Sequence, residues 1–299
     1  MANAIQTIEK YIPLLDEVLC AEMKTAVLET AGALVQETAA AGKFLVAKTN
    51  MDGLGNYSRE EGFLKGAVSL TWEEFTCQYD RGRSFHIDAM DDLETLGLAF
   101  GTVAGEFLRT KVVPETDAIR FATYSQKAGN SVELALTKEN IDDSIIDGEV
   151  AIEDNEGSVV GAYLFINPVN YALVKKSDNF TRTLVPSENP NRNYGSYDEM
   201  DIVKVPSKRF FTKVTLNDGK SSDQASGGFK KADDGKDINF MIIHPSAVLQ
   251  ITKHAKLRVF APDVNQSADA YKIDYRLYHG CDVFENKTNL IYANIKPSA

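Results

Sequence analysis

Cysteine is scarce and unpaired in this chain. Cys20, Cys77 and Cys281 are odd in number, far apart and without a CxxC pair, which excludes a disulfide framework and the common zinc and dithiol motifs. They read as reduced thiols in a cytoplasm. Positive charge is also short: 32 Lys and Arg stand against 43 Asp and Glu, a net charge of −11. Basic residues do not cluster beyond pairs, which argues against a general nucleic-acid-binding surface. No apolar run approaches the ~20 residues that cross a bilayer, and the N-terminus MANAIQTIEKYIPLLDEVLCAEM is amphipathic and acidic rather than a secretory signal. The four histidines, His86, His244, His254 and His279, have no HExxH-type spacing. What remains is ordinary globular composition, 43% hydrophobic and 25% charged over 299 residues, long enough for a large core in one domain or two.

The chain is organised around Gln78 to Glu115, where an extended charged run meets a helix. Asp91 is placed to cap that helix with Glu94 three residues on, Arg109 and Lys111 fall at its negative dipole end, and Pro114 is expected to stop it. Leu93, Leu96, Phe100, Val103 and Phe107 form one apolar stripe. Gly97, Gly101 and Gly105 form a second. Each glycine costs a helix interior about 1 kcal/mol relative to alanine, so three in register predict another backbone lying close along that side.

Residues 4 to 40 carry a rough helical stripe interrupted by Pro13 and Gly32, which suits a core helix or an arm lying on a neighbour. Lys43–Thr49 and Ala67–Tyr79 read as strands joined by about sixteen glycine-rich residues. The pattern predicts a projecting hairpin, and a two-stranded ribbon is marginal alone in water. Glu115 to Lys127 continues as a second helical segment ending at Gly129, and Thr137 to Asn155 is an acidic helix with Thr137 as its cap. Ala162–Asn167 and Asn239–His244 then repeat one plan: an apolar strand, a capping residue, a proline at the first helical position, and a helix, to Lys176 and to Lys253 respectively. Continuous apolar strands are buried on both faces, which predicts a central mixed sheet covered by helices. Between them, Ser177 to Lys236 is turn-rich, and NDGKSSDQASGGFKKADDGKD reads as a solvated, mobile loop. Tyr271, Ile273, Tyr275 and Leu277 alternate with polar residues as in a half-buried antiparallel ribbon.

Chemistry is sparse. Gly219-Lys220-Ser221 mimics the end of a phosphate loop, but Val214 stands where the first glycine belongs. Gly53-Leu54-Gly55 fails as a dinucleotide fingerprint at Ser58. Ser84, His86 and Asp88 alternate along a strand and point side by side about 6 to 7 Å apart, whereas a triad must converge. The acidic run Asp142, Asp143, Asp147, Glu149, Glu153, Asp154 and Glu156 lacks the ligand alternation of a calcium loop and reads as a solvated helix face. His244 reads as a cap. Asp80, Arg81 and Arg83 offer compact charges of both signs, suited to pairing between subunits or to a local salt bridge. No catalytic, metal or cofactor site is expected.

In order of parts and in wording, the chain resembles the major capsid proteins of tailed bacteriophages. The wording lies in WEEFTCQYDRGRSFHIDAMDDLET, AGEFLRTKVVPETDAIRFA and INFMIIHPSAVLQITKHAKLRVFAPDVNQSADAYKIDYRLYHGCDVFENK, similar to relatives from phages of Gram-positive bacteria. The resemblance implies an α+β Hong Kong 97-type shell fold: an N-terminal arm over 1–40, an extended β-hairpin loop over 41–82, a peripheral domain over 83–136 and 254–299 holding the spine helix, and an axial domain over 137–253. It implies a virion protein assembled in the host bacterial cytoplasm as hexamers and pentamers of an icosahedral shell. The shell encloses double-stranded DNA without sequence-specific binding and without a membrane. Portal and decoration proteins are the implied partners. With about forty residues before the hairpin, a separate scaffolding protein is expected. Tyr57, Arg59, Glu60, Lys65, Asp80, Arg81 and Arg83 become candidates for inter-subunit contacts. Lys43, Lys48 and Lys65 are available for the crosslink known in the founding member, and no such bond is predicted. An encapsulin-type nanocompartment shares the fold, and a small hydrolase using Ser84 and His86 is the alternative from another class.

Overall fold

The computed structural model describes residues 23–29, 35–37, 43–57, 59, 62–63, 65–88, 105–177, 196–197, 200–265 and 268–297. Its centre is a six-stranded mixed sheet in the order β5-β14-β11-β6-β8-β7, formed by β5 Asn130–Glu133, β6 Tyr163–Ile166, β7 Ser196–Tyr197, β8 Met200–Lys204, β11 Ile238–Ile243 and β14 Ile291–Ile295. The two apolar repeats, β6 and β11, are its central antiparallel neighbours. All six residues of β11 are buried, because alternate side chains feed opposite layers. Phe165, Met241 and Ile243 enter one core with Phe121 and Tyr124, while Leu164, Ile166, Phe240 and Ile242 enter another with Ile141, Ile145 and Ile152. Helix α1, Val113–Gln126, supplies the first layer. Helices α2, Ile141–Glu153, and α3, Pro168–Val174, supply the second.

A second sheet, β12-β13-β4, joins β4 Tyr79–Asp88, β12 Val248–Phe260 and β13 Ala270–Val283 in antiparallel register. Ile273, Tyr275 and Leu277 are buried as their alternation predicted. A third sheet contains β1 Val35–Glu37 and the ribbon of β2 Lys43–Met51 and β3 Val68–Thr76. A small hairpin pairs β9 Val214–Leu216 with β10 Phe229–Lys231.

Several expectations are corrected. Pro114 does not stop the helix: a π-helical turn, Leu108–Val112, precedes it, and the Val113 N–H bonds back to the Leu108 carbonyl. The wider turn accommodates a residue with no N–H and a bulky ring, so the helix runs on into α1. Gly97, Gly101 and the Asp91 cap lie outside the described residues; Gly105 is helical and partly buried. The acidic helix starts after Asn140 rather than Thr137, and the Asn140 side chain does not cap it but accepts from the Thr137 N–H at 2.7 Å. Asn167 caps α3 as expected. His244 caps in the same way through Nδ1, yet only a 3₁₀ turn comes after it, and the chain becomes β12 where a helix to Lys253 was expected. Met200–Lys204 is an interior strand inside the supposedly turn-rich segment. At the N-terminal end, Lys24–Leu28 is a 3₁₀ helix and Val35–Glu37 a strand rather than a continuous helix.

That 3₁₀ helix is fastened to α1 by one carboxylate. Asp117, fully buried, accepts from the Lys24 and Thr25 N–H groups at 3.0 and 3.1 Å, from Thr25 Oγ1 at 2.8 Å, and from Arg209 Nη1 at 3.0 Å. Replacing Asp117 with Ala leaves a guanidinium and three donors unpaired in the core. The urea midpoint should fall by the equivalent of about 3 to 5 kcal/mol, and a loss below ~1 kcal/mol would show the hub to be dispensable.

Candidate assembly surfaces

The ribbon has two unlike faces. Its inner face carries Phe44, Val46 and Phe75, which cluster with Leu249 and Ile251 of β12, and Lys48 reaches Glu285 at 2.8 Å. Phe75 lies against Gly280, where an added Cβ would stand 2.8 Å from the ring; only glycine lets the ribbon seat on β13 there. The outer face is apolar and open. Val68, Leu70 and Trp72 share it by their spacing of two, with Met51 opposite Val68, and they are 70%, 56%, 44% and 68% exposed. The row ends at the root in a Lys43–Glu74 ion pair of 2.6 Å. At the tip Leu54 and Phe63 are exposed, and Tyr57 packs on Phe63 with ring centroids 5.0 Å apart. Arg59 and Lys65 are exposed beside them, and Glu60 lies outside the described residues.

At the root of the ribbon, Asp80, Arg81 and Arg83 of β4 have partners within the chain. Asp80 takes a two-pronged bond from Arg276, 2.9 Å from Nε and 2.5 Å from Nη2, and that hydrogen bonding lowers its carboxyl below the usual range. Arg81 is held by Glu115 at 2.6 Å and by the carbonyls of Asn217 and Gly228 at 2.8 and 3.3 Å. Arg83 donates twice to the Ala225 carbonyl at 3.2 Å. The 217–228 loop, expected to be solvated and mobile, is therefore strapped across both arginines. Within it, Asp218 accepts from the N–H groups of Lys220 and Ser221 and from the Ser221 hydroxyl at 2.6 Å, which holds its carboxyl at about 2. The loop's N–H groups are spent on this turn rather than offered to a phosphate.

Between β4, the π turn, α1, β13 and this loop lies a cleft of about 770 Å³, with Phe85, Phe107 and Leu277 on its floor, Arg83, Lys111 and Lys220 toward its rim, and His279 among its lining residues. Ser84 donates to Asp274 across the strand pair at 2.6 Å, and His86 stands opposite Lys272. The arrangement lines these groups along a sheet edge instead of converging them. Among the described residues no group of His, Cys, Asp and Glu could hold a metal ion, and no helix is long and apolar enough to cross a membrane. Sequence reasoning singled out Tyr57, Arg59 and Lys65 at the tip. It missed the outer row of Val68, Leu70 and Trp72, whose alternation within AVSLTW was the available signal.

No protein-family model matches the sequence, and no curated protein matches it either. Solved structures do match in fold. The head structure of Helicobacter pylori bacteriophage KHP40 aligns at a TM-score of 0.62 and 12% identity, over 93% of this chain and 91% of that one. The capsid structure of the cyanophage P-SCSP1u aligns at 0.56 and 12%, over 91% and 87%. The bacteriophage PhiM1 mature capsid aligns at 0.54 and 13%, over 87% and 83%. The fold is a phage-capsid fold of mixed α+β class, shared across nearly the whole chain.

The root and the cleft each yield a measurable outcome. Arg81→Gln should leave far-ultraviolet dichroism unchanged while speeding tryptic cleavage after Lys220 several-fold; equal cleavage rates would show that the strap does not depend on Arg81. Burial, with Arg120 nearby, holds His279 down at about 3 against an ordinary 6.5. The unfolded chain then binds a proton the native state refuses, so stability should decline as pH falls from 6.5 toward 3, by up to about 1.4 kcal/mol per unit. Thermal melts of His279→Gln should show a shallower decline over the same window.

Proposed function

We propose that the chain is the structural shell subunit of a tailed-phage head, assembling as hexamers and pentamers of an icosahedral capsid around double-stranded DNA. The carrying observation is the ribbon: one face anchored to the body, the other presenting Met51, Val68, Leu70 and Trp72 to solvent. A contiguous exposed apolar face of this kind marks an interaction surface. A ribbon marginal by itself gains stability once neighbours cover it, and a shell multiplies such contacts over many copies. The capsid fold of the aligned structures supports the same reading.

In this reading 1–40 is the N-terminal arm, 41–82 the extended loop laid on a neighbour, 83–136 with 254–299 the peripheral domain, and 137–253 the axial domain. A separate scaffolding protein guides assembly in the host cytoplasm, and portal and decoration proteins complete the head. The net charge of −11 suits a container whose lining must not trap phosphates. The role needs no catalysis, cofactor or metal.

Expression with and without the neighbouring scaffold gene, followed by electron microscopy and light scattering, tests the reading. Closed shells are expected with the scaffold. Leu70→Asp with Trp72→Arg should leave the unfolding free energy of the isolated subunit within about 0.5 kcal/mol of its original value, while reducing shell yield to background. Persistent monomers in both conditions, or normal shells from the double variant, would overturn the proposal.

A further inference from the structure

Helices α2 and α3 cover one face of the central sheet, and each turns a packed side inward and an uncovered side outward. Ile141, Ile145 and Ile152 of α2 are buried with Ile242 and Tyr292. Gly148 lets the helix seat there, because an added Cβ would stand 2.9 Å from each of those two side chains. That contact fixes the rotation of α2. Its outer stripe carries Asp143, Ile146, Asp147, Val150, Glu153 and the following Asp154, all of them exposed. No basic residue lies in the last turn, so Glu153 and Asp154 stand at the negative end of the helix dipole, where a carboxylate costs stability. None of the four acids is in an ion pair with another described residue.

The stripe on α3 has the opposite sign. Val169, Ala172, Lys175 and Lys176 are exposed at helical spacing. Tyr171 gathers two cations, with Lys175 Nζ 4.8 Å and Lys204 Nζ of β8 4.5 Å from its ring centroid. Ammonium groups held together on one ring repel each other, and neither of them nor Lys176 pairs with a described carboxylate. The two stripes also belong to opposite ends of the sheet order. Helix α2 meets the edge strand β5, whose Asn130 Nδ2 donates to the Ala151 carbonyl at 3.4 Å, whereas α3 meets β8 through Tyr171 and Lys204.

Resting on the shell reading given above, we propose that the α3 stripe of one subunit docks on the α2 stripe of a second copy. Lys175, Lys176 and Lys204 then face Asp147, Glu153 and Asp154, with Val169 and Ala172 against Ile146 and Val150. A second copy is the occupant because each stripe supplies the charge that the other lacks. Acid against acid and lysine against lysine both repel, which disfavours a two-fold pairing of like faces. Unlike faces joined head to tail close into a ring or run on as a chain, and hexamers and pentamers are such rings. An exposed ion pair contributes little by itself. The charges therefore select partner and register, while covering the apolar side chains contributes free energy that a ring repeats at every joint.

Sedimentation velocity of the purified full chain over rising concentration, in low and in high sodium chloride, tests this apart from shell formation. The unchanged chain should self-associate, and salt that shortens the screening length should weaken the association about tenfold. Asp147→Lys, Glu153→Lys and Asp154→Lys together should abolish it, as should Lys175→Glu, Lys176→Glu and Lys204→Glu together, because each set gives both stripes the same sign. A chain with all six changes exchanges the signs and should associate as the original does. Should a reversed set fail to fold by far-ultraviolet dichroism, the neutral set Asp147→Asn, Glu153→Gln and Asp154→Asn replaces it, with a several-fold loss expected. The proposal falls if the unchanged chain stays monomeric throughout, if either reversed set associates normally, or if the six-change chain is as defective as its parents. Closed shells beside any of those results would leave the shell reading standing and remove only this interface. Salt-sensitive association that the six-change chain restores, in the absence of shells, would keep the interface and overturn the shell.

Discussion

A helix buried on every side constrains the rest of this molecule. From Thr116 to Ser125, α1 has only Thr123 outside the buried class, because it packs on the central sheet through Phe121 and on the second sheet toward Cys281. Its polar side chains must then find partners inside. Thr116 and Thr123 bond back to carbonyls one turn earlier, and Asp117 gathers the 3₁₀ helix and Arg209. The hydrophobic effect places α1 between the sheets without choosing its rotation or height. The directional bonds of Asp117 and Arg120 supply both.

The same helix sets the base from which the ribbon projects. β4 lies beside β13, α1 lies across them, and the Arg81–Glu115 pair ties strand to helix while the 217–228 loop closes over the outside. The ribbon is thus rigid at its root and unfinished along its outer face. In a protein meant to stay monomeric, such an apolar row would be an aggregation hazard. In a subunit meant to be covered by copies of itself, it is the place where assembly releases free energy.

Legibility in the sequence tracked the range of the interactions. Asn167-Pro168 and His244-Pro245 share one capping grammar, and both cap as that grammar dictates. Beyond the caps the two segments diverge, because Val248 to Ile251 pair with Gly280 to Val283 and a β-rich run takes the strand when a partner edge is present. Pro114 misled for a similar reason: the rule against a proline inside a helix holds for α geometry, and the π turn at Leu108–Val112 changes the geometry. The 217–228 loop reads as solvated from composition, and its order comes from two arginines more than a hundred residues earlier in the chain.

By itself, then, the sequence determined the period-dependent parts: the buried strands β6 and β11, the alternation along β13, the Asn167 and His244 caps, and the hairpin strands. These depend on residues a few positions apart, where sterics and hydrophobic period act locally. Only the tertiary structure decided which charges pair, that Gly280 seats Phe75, which face of the ribbon is left open, and that Asp117 gathers the 3₁₀ helix and Arg209 against α1. Each of these is settled by contact between segments far apart in the chain, where burial raises the energy of an unmatched group and so selects one arrangement from many the local pattern would allow.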